Sequence, residues 1–444
     1  ASRAPRPAAP SANSVAVLYF DNLSRDSTDA YVADGLTEEI IARLTQVSRL
    51  TVKSRTAVQR LRGTAHDPAA LGRQLAVAHL VSGSVRHAGN RLRVSVELTR
   101  ASTGVGEWAE QYDRTDADLL GIQEDIARAV ATAITGRLLP EERATLAARP
   151  TGNPAAYDYY LRGQHLVAQR SPRSITAAIT EFEAALRLDP AFAGAMSRLA
   201  YAYGLFYDWG WRHETLPRES LLTRAIDYAD RALRLDSVNT EAWRMRGYLR
   251  THLDPYAFSG AREALDHAVR LDPRNVDALL NLAWTLVKLG DDSAAAPVYR
   301  QALALEPTRA ISLEHLARMS HRARRWAEER RWLDSAVAVD AGFYRAYADR
   351  SLVRLQQGDA EGARSDAEAA IRLGAGHTFR GPAALALVRV RQGDTTAARQ
   401  SVERMLVGRA SPDYVTVDEG LWIGMTLVAL GERDRVFDLL EQVR

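Results

Sequence analysis

Two spacings of apolar residues divide this chain into two parts. Near its start, residues 15–20 form a continuous apolar run, which is typical of a strand buried on both faces. Further along, Leu92, Val94 and Val96 alternate with polar residues, which predicts a strand with one solvent-exposed face. From about residue 153 onward, apolar residues recur at spacings of three and four, and this period predicts α-helices.

The first part contains signals for five strands and three helices. Their bounds are read from apolar runs, turn residues and helix-starting residues. The predicted strands cover residues 15–20, 50–53, 80–86, 91–99 and 107–112, and the predicted helices cover residues 36–46, 68–75 and 116–138. We therefore predict a small α/β domain with a mixed sheet at residues 14–140.

Residues 276–309 predict a pair of short helices joined by a turn. Gly290 supplies a left-handed residue that ends the first helix, and Asp291 or Asp292 can cap the second. Pro307 ends the second helix because proline has no backbone N–H. One apolar face on each helix is expected to pack inward: Leu279, Leu282, Ala283 and Leu286 on the first, and Ala295, Tyr299 and Ala302 on the second.

The features of this helix pair recur along the chain. The Gly-Asp step at 290–291 returns at 358–359 and at 393–394. The phrase LALEP at 303–307 has counterparts that end at residues 273, 341 and 375, at intervals of 34. A single pair cannot cover its own apolar face, so each pair needs a neighbour of the same kind.

The repeated unit resembles the tetratricopeptide repeat (TPR) family. Its pattern of large, small, alanine, aromatic, alanine and proline residues is matched by Leu279, Ala283, Ala295, Tyr299, Ala302 and Pro307. The resemblance covers residues 153–444 with seven to eight repeats, and it implies an all-α solenoid, a right-handed superhelix of helical hairpins. The second repeat departs by an insertion, and the fifth carries Glu329 where alanine is usual, so we expect its helices to lie further apart.

The first part carries a second resemblance. The segments AVLYFDNLS, ADGLTEEI and WAEQYDR, with the long hairpin sequence at 82–104, resemble the TolB amino-terminal-like, or FlgO-like, domain. Tyr19 departs from many members, which have proline there. Such domains stand beside TPR arrays in the C-terminal regions of bacterial adenylate cyclases, winged-helix regulators and serine/threonine kinases. The resemblance implies an interaction module without established catalysis.

Composition narrows the possible partners and surroundings. With 444 residues, 46% hydrophobic and 25% charged, the chain is globular and long enough for several domains. A net charge of +3 without a basic cluster predicts no nucleic-acid partner. The absence of cysteine excludes disulfides, and the lack of an apolar run near ~20 residues predicts no membrane insertion of this segment. Residues 1–13 and 141–152 are expected to be linkers. The linker at residues 1–13 indicates that this chain is part of a longer protein.

No motif typical of catalysis is present in the sequence. The Gly-rich phosphate loop, the kinase signature, His-Glu-x-x-His and G-x-S-x-G are all missing. His315 and His321 are six residues apart, which places them on different helix faces and disfavours a metal site. Asp34, Glu38 and Glu39 suggest either acid–base chemistry or, as we favour, acidic residues in the first turn of a helix. We therefore predict no enzyme, no cofactor and no metal.

The TPR resemblance implies a partner-binding groove along the first helices of the repeats. Residues that flank the packing positions there are Arg244, Tyr248, Trp284, Lys288, Arg318, Arg322 and Arg345. This aromatic and cationic set suits a protein or peptide partner with acidic residues or a C-terminal carboxylate. The alternative is an ordinary solvated surface, because Glu314 can pair with Arg318 four residues later.

The insertion in the second repeat, at residues 201–217, is rich in aromatic residues. Exposed aromatics can form a partner site. Packing of the longer repeat against its neighbour is the interpretation we favour. The candidate patch consists of Phe206, Tyr207, Trp209 and Trp211.

Three hypotheses for function remain open. The leading one is a non-enzymatic scaffold for protein–protein interaction, in the sensory or interaction region of a larger bacterial signalling protein. That protein would be membrane-anchored with this region outside the cytoplasm, in the periplasm or at the cell surface, or alternatively cytoplasmic. The second hypothesis is a structural or assembly subunit that self-associates into oligomers or filaments. The third is a small-molecule site at the strand ends of the α/β domain.

Overall fold

The structure is a computed structural model, and it describes residues 10–24, 29–59, 61–62, 67–89, 91–115, 118–208, 211, 213–253, 259–374, 379–407 and 417–442. The chain divides into two compact units, residues 1–281 and 282–444.

The first unit begins with a six-stranded mixed sheet. β1 lies parallel to β3 and β4, whereas β4, β5 and β6 are antiparallel neighbours. The strand order is β3–β1–β4–β5–β6, and β2 also pairs with β4. The strands are β1 (Ser14–Val17), β2 (Asp21–Asn22), β3 (Thr51–Val52), β4 (His79–Ala88), β5 (Arg91–Arg100) and β6 (Val105–Thr115).

Five helices accompany this sheet. They are α1 (Ala30–Thr45), α2 (Arg55–Gln59), α3 (Pro68–Leu75), α4 (Leu119–Thr135) and α5 (Pro140–Ala147). Leu36 and Ile40 of α1 and Ile126 of α4 are buried in one core with the apolar side of β5. Asp67 accepts a hydrogen bond from the Ala70 N–H and so caps α3.

α1 begins six residues before the predicted start. The prediction that its acidic residues lie in the first turn is therefore wrong. Glu38 and Glu39 lie in the third turn of the helix, where the N-terminal dipole has faded. Both are largely buried beside arginines instead: Glu38 is 3.0 Å from Arg55 and Glu39 is 3.1 Å from Arg43. Neighbouring arginines in a buried environment, and not the helix dipole, stabilise these carboxylates.

α5 occupies much of the segment that the sequence indicated as a linker. Glu142 of α5 accepts two hydrogen bonds from Arg49, at 2.9 and 2.6 Å. The core of the sheet continues past α5 into Tyr157 and Leu161, which lie on the first helix of the repeats. The joint between the two parts is therefore packed, while the domain bounds 14–140 and 153–444 stay a prediction.

The rest of the chain is an array of helices that follow one another as hairpins. In the first unit the helices are α6 (Pro154–Ala168), α7 (Pro172–Leu188), α8 (Ala193–Asp208), α9 (Arg218–Leu235), α10 (Thr240–Leu253) and α11 (Ser259–Leu271). α12 (Val276–Lys288) contains the division between the units. The second unit continues with α13 (Asp292–Leu305), α14 (Ala310–Arg322), α15 (Trp326–Val339), α16 (Tyr344–Gln356), α17 (Ala360–Gly374), α18 (Arg380–Arg391), α19 (Thr395–Val407), α20 (Val417–Leu430) and α21 (Arg433–Glu441). The predicted fold class, a mixed-sheet α/β domain followed by an all-α array of hairpins, is confirmed.

The helix ends follow the signals in the sequence. Gly290 has φ of +77°, in the left-handed region that favours glycine. Asp291 accepts a hydrogen bond from the Ala294 N–H at 3.0 Å and caps α13. Ala295 and Tyr299 are completely buried, which confirms the face assigned to the second helix of this pair.

Small residues on first helices allow close approach of the second helices. A Cβ atom added to Gly163 of α6 would lie 2.5 Å from the Phe182 ring of α7. A Cβ atom added to Gly247 of α10 would lie 2.5 Å from Cγ of Leu265 in α11. Both distances are below contact, so each hairpin depends on matching a small residue with a large one.

The fifth repeat accommodates its unusual glutamate by an ionic contact. Glu329 of α15 is buried, and its Oε1 lies 3.0 Å from Nδ1 of His321 in α14. This hydrogen bond raises the pKa of His321. The buried carboxylate therefore has a partner within its own hairpin, at a position where TPR repeats usually have alanine.

Candidate functional site

A buried carboxylate in the second unit draws together arginines from three helices. Glu314 of α14 has no exposed surface. Arg345 of α16 donates two hydrogen bonds to it, both at 3.0 Å, and Arg380 of α18 donates one at 3.3 Å. Arg318, one turn further along α14, lies 3.7 Å from the same carboxylate. We call these four residues the Glu314 cluster.

The ionisation of this cluster follows from burial and charge. Burial alone would raise the pKa of Glu314, but the field of Arg345 and the other nearby cations outweighs it, so the pKa lies well below its usual range. The side chain of the neighbouring His315 is only 15% exposed, and burial lowers its pKa to about 4. The imidazole is therefore neutral near pH 7, and the carboxylate is charged.

A second acid lies next to the cluster. Asp349 of α16 has an oxygen 3.7 Å from Arg380, and burial raises the pKa of Asp349 to about 6 against the opposing effect of Arg380. Among the described residues, three guanidinium groups thus face two carboxylates. One positive charge is left over even when both acids are ionised.

The arginines of the cluster differ in exposure. The side chain of Arg380 is 6% exposed, that of Arg345 is 23% exposed and that of Arg318 is 34% exposed. Glu314 holds the first two by short hydrogen bonds, whereas its contact with Arg318 is longer. Arg318 is consequently the cation of this cluster that a ligand can reach most easily.

Three further residues of the predicted groove lie in the same unit. The Lys288 ammonium lies 5.2 Å from the centre of the Trp284 ring, a cation–π geometry. Partial burial lowers the pKa of Lys288, and the charge of Arg318 adds to this shift. Arg322 makes two hydrogen bonds to the Asp292 carboxylate, at 2.9 and 2.7 Å, in an exposed pair.

The Tyr299 hydroxyl is a buried polar group of this region. Its ring stacks on the His315 ring with centres 5.0 Å apart. The hydroxyl is buried and has no hydrogen-bond partner among the described residues. Burial raises the pKa of Tyr299, so the hydroxyl keeps its proton.

Arg244 and Tyr248, the other two predicted groove residues, lie on α10 in the first unit. Arg244 is 8% exposed and donates two hydrogen bonds to Glu241, at 2.8 and 2.7 Å. The Tyr248 hydroxyl donates to Asp208 at 2.7 Å. Burial raises the pKa of Asp208 to about 7. Both residues are thus engaged by acids of their own unit.

The aromatic insertion is largely packed inside the first unit. Phe206 is 1% exposed and meets the Trp211 ring edge-on, with ring centres 5.8 Å apart. The Arg218 guanidinium carbon lies over the Tyr207 ring, 4.3 Å from its centre. A buried Phe206 is not an exposed partner residue, and Trp209 lies outside the described residues.

The structure adds Arg380 and the central role of Glu314, which the sequence did not indicate. Arg380 follows Arg345 by 35 residues, about one repeat, and this spacing is the signal that was available. In the described part of the chain, no group of three or more acidic, histidine or cysteine side chains is arranged to hold a metal ion. None of the described helices combines the length and apolar composition that a membrane span requires.

Comparison with known proteins agrees with the repeat pattern. The family model for the tetratricopeptide repeat matches residues 258–310 and 280–351. The helical array thus contains tetratricopeptide repeats. These proteins generally mediate protein–protein interaction, and the fold is typically a non-enzymatic scaffold.

Two curated relatives match part of the chain. A putative adenylate cyclase 3 of Rhizobium meliloti is 33% identical over 232 residues, which are 52% of this chain and 39% of that protein. The transcriptional regulator HilA of Salmonella typhimurium is 25% identical over 151 residues, or 34% of this chain and 26% of that protein. This chain therefore spans well under half the length of either relative.

Solved structures show more distant similarity. Yeast Tom70 has a TM-score of 0.44 and 14% identity, and the match covers 72% of this chain and 80% of that one. The Pseudomonas aeruginosa protein pilF has a TM-score of 0.40 and 19% identity, covering 51% of this chain and 95% of that one.

Proposed function

We propose that this chain is a non-enzymatic scaffold that binds a protein or peptide, as the interaction region of a larger bacterial signalling protein. The tetratricopeptide repeats support the scaffold role, because stacked hairpins offer an extended binding surface. The signalling context is supported by the relatives, one named a putative adenylate cyclase and one a transcriptional regulator. The TolB-like, FlgO-like resemblance of the sheet domain supports a second interaction module and a location outside the cytoplasm.

We propose further that the partner of the second unit is an acidic segment or a C-terminal carboxylate. The observation that carries this proposal is the unequal charge of the Glu314 cluster, where three arginines meet two acids. Glu314 fixes Arg345 and Arg380 in place, so their ordering is complete before a ligand arrives. An incoming carboxylate would then pair with Arg318, whose contact to Glu314 is the loosest of the three.

Neighbouring residues add to the attraction for such a ligand. Lys288 supplies a second reachable cation over the Trp284 ring, which offers an apolar surface to the ligand chain. Arg322 can exchange its exposed pairing with Asp292 for a ligand carboxylate at little cost, because surface ion pairs contribute little. Each charge-assisted contact would contribute ~1.5–3 kcal/mol if desolvated.

Binding of labelled peptides to the full chain tests this proposal. We expect a peptide ending in several aspartates and glutamates to bind, and its affinity to fall as salt rises. The variant carrying Arg318→Glu and Arg322→Glu should lose at least about 10-fold in affinity, the equivalent of one charge-assisted contact. Fluorescence anisotropy with increasing protein concentration gives the dissociation constant for each variant.

Two controls separate this effect from general electrostatics. A variant with Arg325→Glu and Arg331→Glu makes the same charge change at exposed positions of the loop before α15 and of α15 itself, and it should keep the affinity. The amidated peptide with asparagine and glutamine in place of aspartate and glutamate should bind weakly to all variants. Equal loss in both double variants would mean that only the net charge matters, and the assigned site would be wrong.

Self-association is a second candidate function, favoured by exposed apolar residues near the end of the array. Phe437 of α21 is 67% exposed and Val428 of α20 is 61% exposed. Exposed apolar side chains mark an interaction surface where they form one patch. Size-exclusion chromatography over a range of concentrations, with Phe437→Ser beside the natural chain, should show a concentration-dependent shift that the variant lacks. A constant monomer position for both would exclude this role.

A further inference from the structure

A cavity of about 350 Å³ lies in the first unit, where the sheet domain meets the first helix of the repeats. Its inner wall consists of Val32 from α1, Leu92 from β5, and Leu119 and Leu120 from α4. All four are less than a tenth exposed. The cavity is therefore an apolar space walled by three elements of the sheet domain.

The cavity opens to solvent at the exposed side chains of Asp158 and Arg162, and it has the size of a small ligand pocket. An apolar cavity of ~150 Å³ is already large enough to bind benzene, and this one has more than twice that volume. It falls at the lower end of the ~300–1,000 Å³ that ligand pockets occupy.

The mouth of the cavity carries one acid and one base side by side on α6. Asp158 accepts a hydrogen bond from the Tyr31 hydroxyl at 2.7 Å, and it is 2.7 Å from the Arg162 guanidinium. Arg162 also lies over the Tyr31 ring, 5.2 Å from its centre. Burial raises the pKa of Tyr31 to about 12, so its hydroxyl remains a donor at neutral pH.

The ion pair at the mouth is open to exchange. The Asp158 side chain is 39% exposed and that of Arg162 is 46% exposed. An exposed pair of this kind contributes little to stability. Each of its two members can therefore exchange the other for a ligand group of the same charge at little cost. The guanidinium would take a carboxylate in its two-pronged geometry, and the aspartate would take an ammonium.

Glu181 is close enough for its charge to act on Arg162 and Asp158, but it does not line the cavity. His87 lines the cavity and pairs with Asp29 at 3.2 Å. The N-terminus of α6 also reaches the cavity, but Asn153 already accepts hydrogen bonds from the Ala155 and Ala156 N–H groups. The charge pattern available to a ligand head group is therefore one positive and one negative group close together.

We propose that this cavity binds a free α-amino acid with an apolar side chain. The side chain would fill the space between Leu92, Leu119 and Leu120. The α-carboxylate would pair with Arg162, and the α-ammonium would pair with Asp158. This site is separate from the peptide site proposed for the second unit, and it would give the chain a small-molecule input.

Isothermal titration of the full chain with L-leucine and L-phenylalanine tests the proposal. We expect saturable binding of at least one of them. We expect at least about 10-fold weaker binding of 4-methylpentanoic acid, which lacks the ammonium, and of 3-methylbutylamine, which lacks the carboxylate. A raised melting temperature at saturating ligand should accompany binding. Absence of binding by both amino acids would overturn the proposal.

Variants locate the site. Arg162→Gln and Asp158→Asn should each weaken binding at least about 10-fold. Arg173→Gln, which removes an exposed arginine of α7 away from the cavity, should leave affinity unchanged. Unaltered melting temperatures without ligand would show that the variants fold. Full affinity in both mouth variants would overturn the assignment, as would equal binding of the acid or the amine. The acidic-peptide assay is independent, because Arg318 and Arg322 are unchanged in these variants.

Discussion

Two groups of buried acids in this protein differ in the balance of charge around them. In the first unit, Asp34, Glu38 and Glu39 of α1 each have basic partners of their own. Asp34 is 2.6 Å from both Arg62 and His165, and the glutamates pair with Arg55 and Arg43. In the second unit, the single carboxylate of Glu314 is shared by three arginines. The α1 acids are balanced and connect parts of the fold, whereas the Glu314 cluster keeps surplus positive charge.

The comparison shows that burial of charge alone does not identify a binding site. Both groups lie deep in their units, and both contain buried carboxylates. What distinguishes them is whether cations remain after the internal pairs are made. In the first group, pairing with an acid accounts for every cation. In the second group, Arg318 remains within reach of a ligand.

The largest expected effect on this comparison comes from Glu314→Gln. Removing the shared charge leaves the buried Arg380 and the partly buried Arg345 without their main counter-ion, and breaking a buried ion pair in this way costs ~3–5 kcal/mol. Urea denaturation should show a large fall in the midpoint of the second unit. Glu328→Gln, at a more exposed position beside Arg325, should shift it little. A small shift for Glu314→Gln would mean that the cluster is not structurally important.

A smaller loss is expected for Glu38→Gln in α1. The change removes one acid from a balanced set and leaves Arg55 and the Tyr19 hydroxyl with a neutral partner that can still accept a hydrogen bond. Hydrogen bonds to charged groups contribute ~1.5–3 kcal/mol, and part of this should remain. Denaturation under the same conditions gives the value. A loss larger than that of Glu314→Gln would reverse the comparison.

Acid titration should give opposite changes for two neighbours of Glu314. Asp349 has a raised folded pKa of about 6, so its contribution to stability is lost as pH rises from about 4 towards 6. His315 has a lowered pKa of about 4, so it favours folding above about 6.5 and disfavours it as pH falls towards 4. Each can change the slope of stability against pH by up to ~1.4 kcal/mol per unit. Asp349→Asn should make the slope of stability against pH more positive, and His315→Gln should make it less positive. Shifts of the same sign in both variants would contradict the opposite pKa shifts assigned to these two residues.

The smallest effect on stability is expected for Arg322→Gln. Its pair with Asp292 is exposed on both sides and should contribute less than ~1 kcal/mol. Affinity for an acidic peptide should nevertheless fall, because the same guanidinium would meet the ligand. Measuring the melting temperature and the dissociation constant on one preparation separates the two roles. A large drop in melting temperature would assign Arg322 to the fold and not to the ligand.

The local features of the fold could be predicted from the sequence, and the reason is their short range. Gly290, the Asp291 cap and the buried face of α13 depend on residues within one hairpin. The predicted start of α1 is too late, although Asp29 at the N-cap is a residue type typical of helix starts. The helix extends over Val32 and Ala33, which are buried in the core ahead of the predicted start. α5 was missed because its composition is polar and its stability comes from Glu142 and Leu146 packing on the sheet domain.

The candidate site could be predicted only in part. The TPR resemblance placed Lys288, Arg318 and Arg345 on first helices, and the structure finds them there. The convergence of Arg380 on Glu314 joins residues 66 positions apart, which no local period reveals. The cavity beside Arg162 was missed for the same reason, because its walls come from α1, β5, α4 and α6. The sequence hypothesis of a small-molecule site had placed it at the strand ends.

The matched glycines of the hairpins limit how this array can be rebuilt by recombination. Gly163 faces Phe182, and Gly247 faces Leu265, so the small and large members of each couple lie on different helices of one repeat. A crossover between the two helices of a repeat would separate a couple and bring two bulky residues, or two small ones, together. A crossover between repeats would keep these two couples intact, but it would separate Gly381 of α18 from Ile371 of α17, whose Cγ1 a Cβ atom on Gly381 would approach to 2.9 Å. For the hairpins of Gly163 and Gly247 the whole hairpin is therefore the exchangeable module, both for gene rearrangement and for engineered arrays assembled from these repeats.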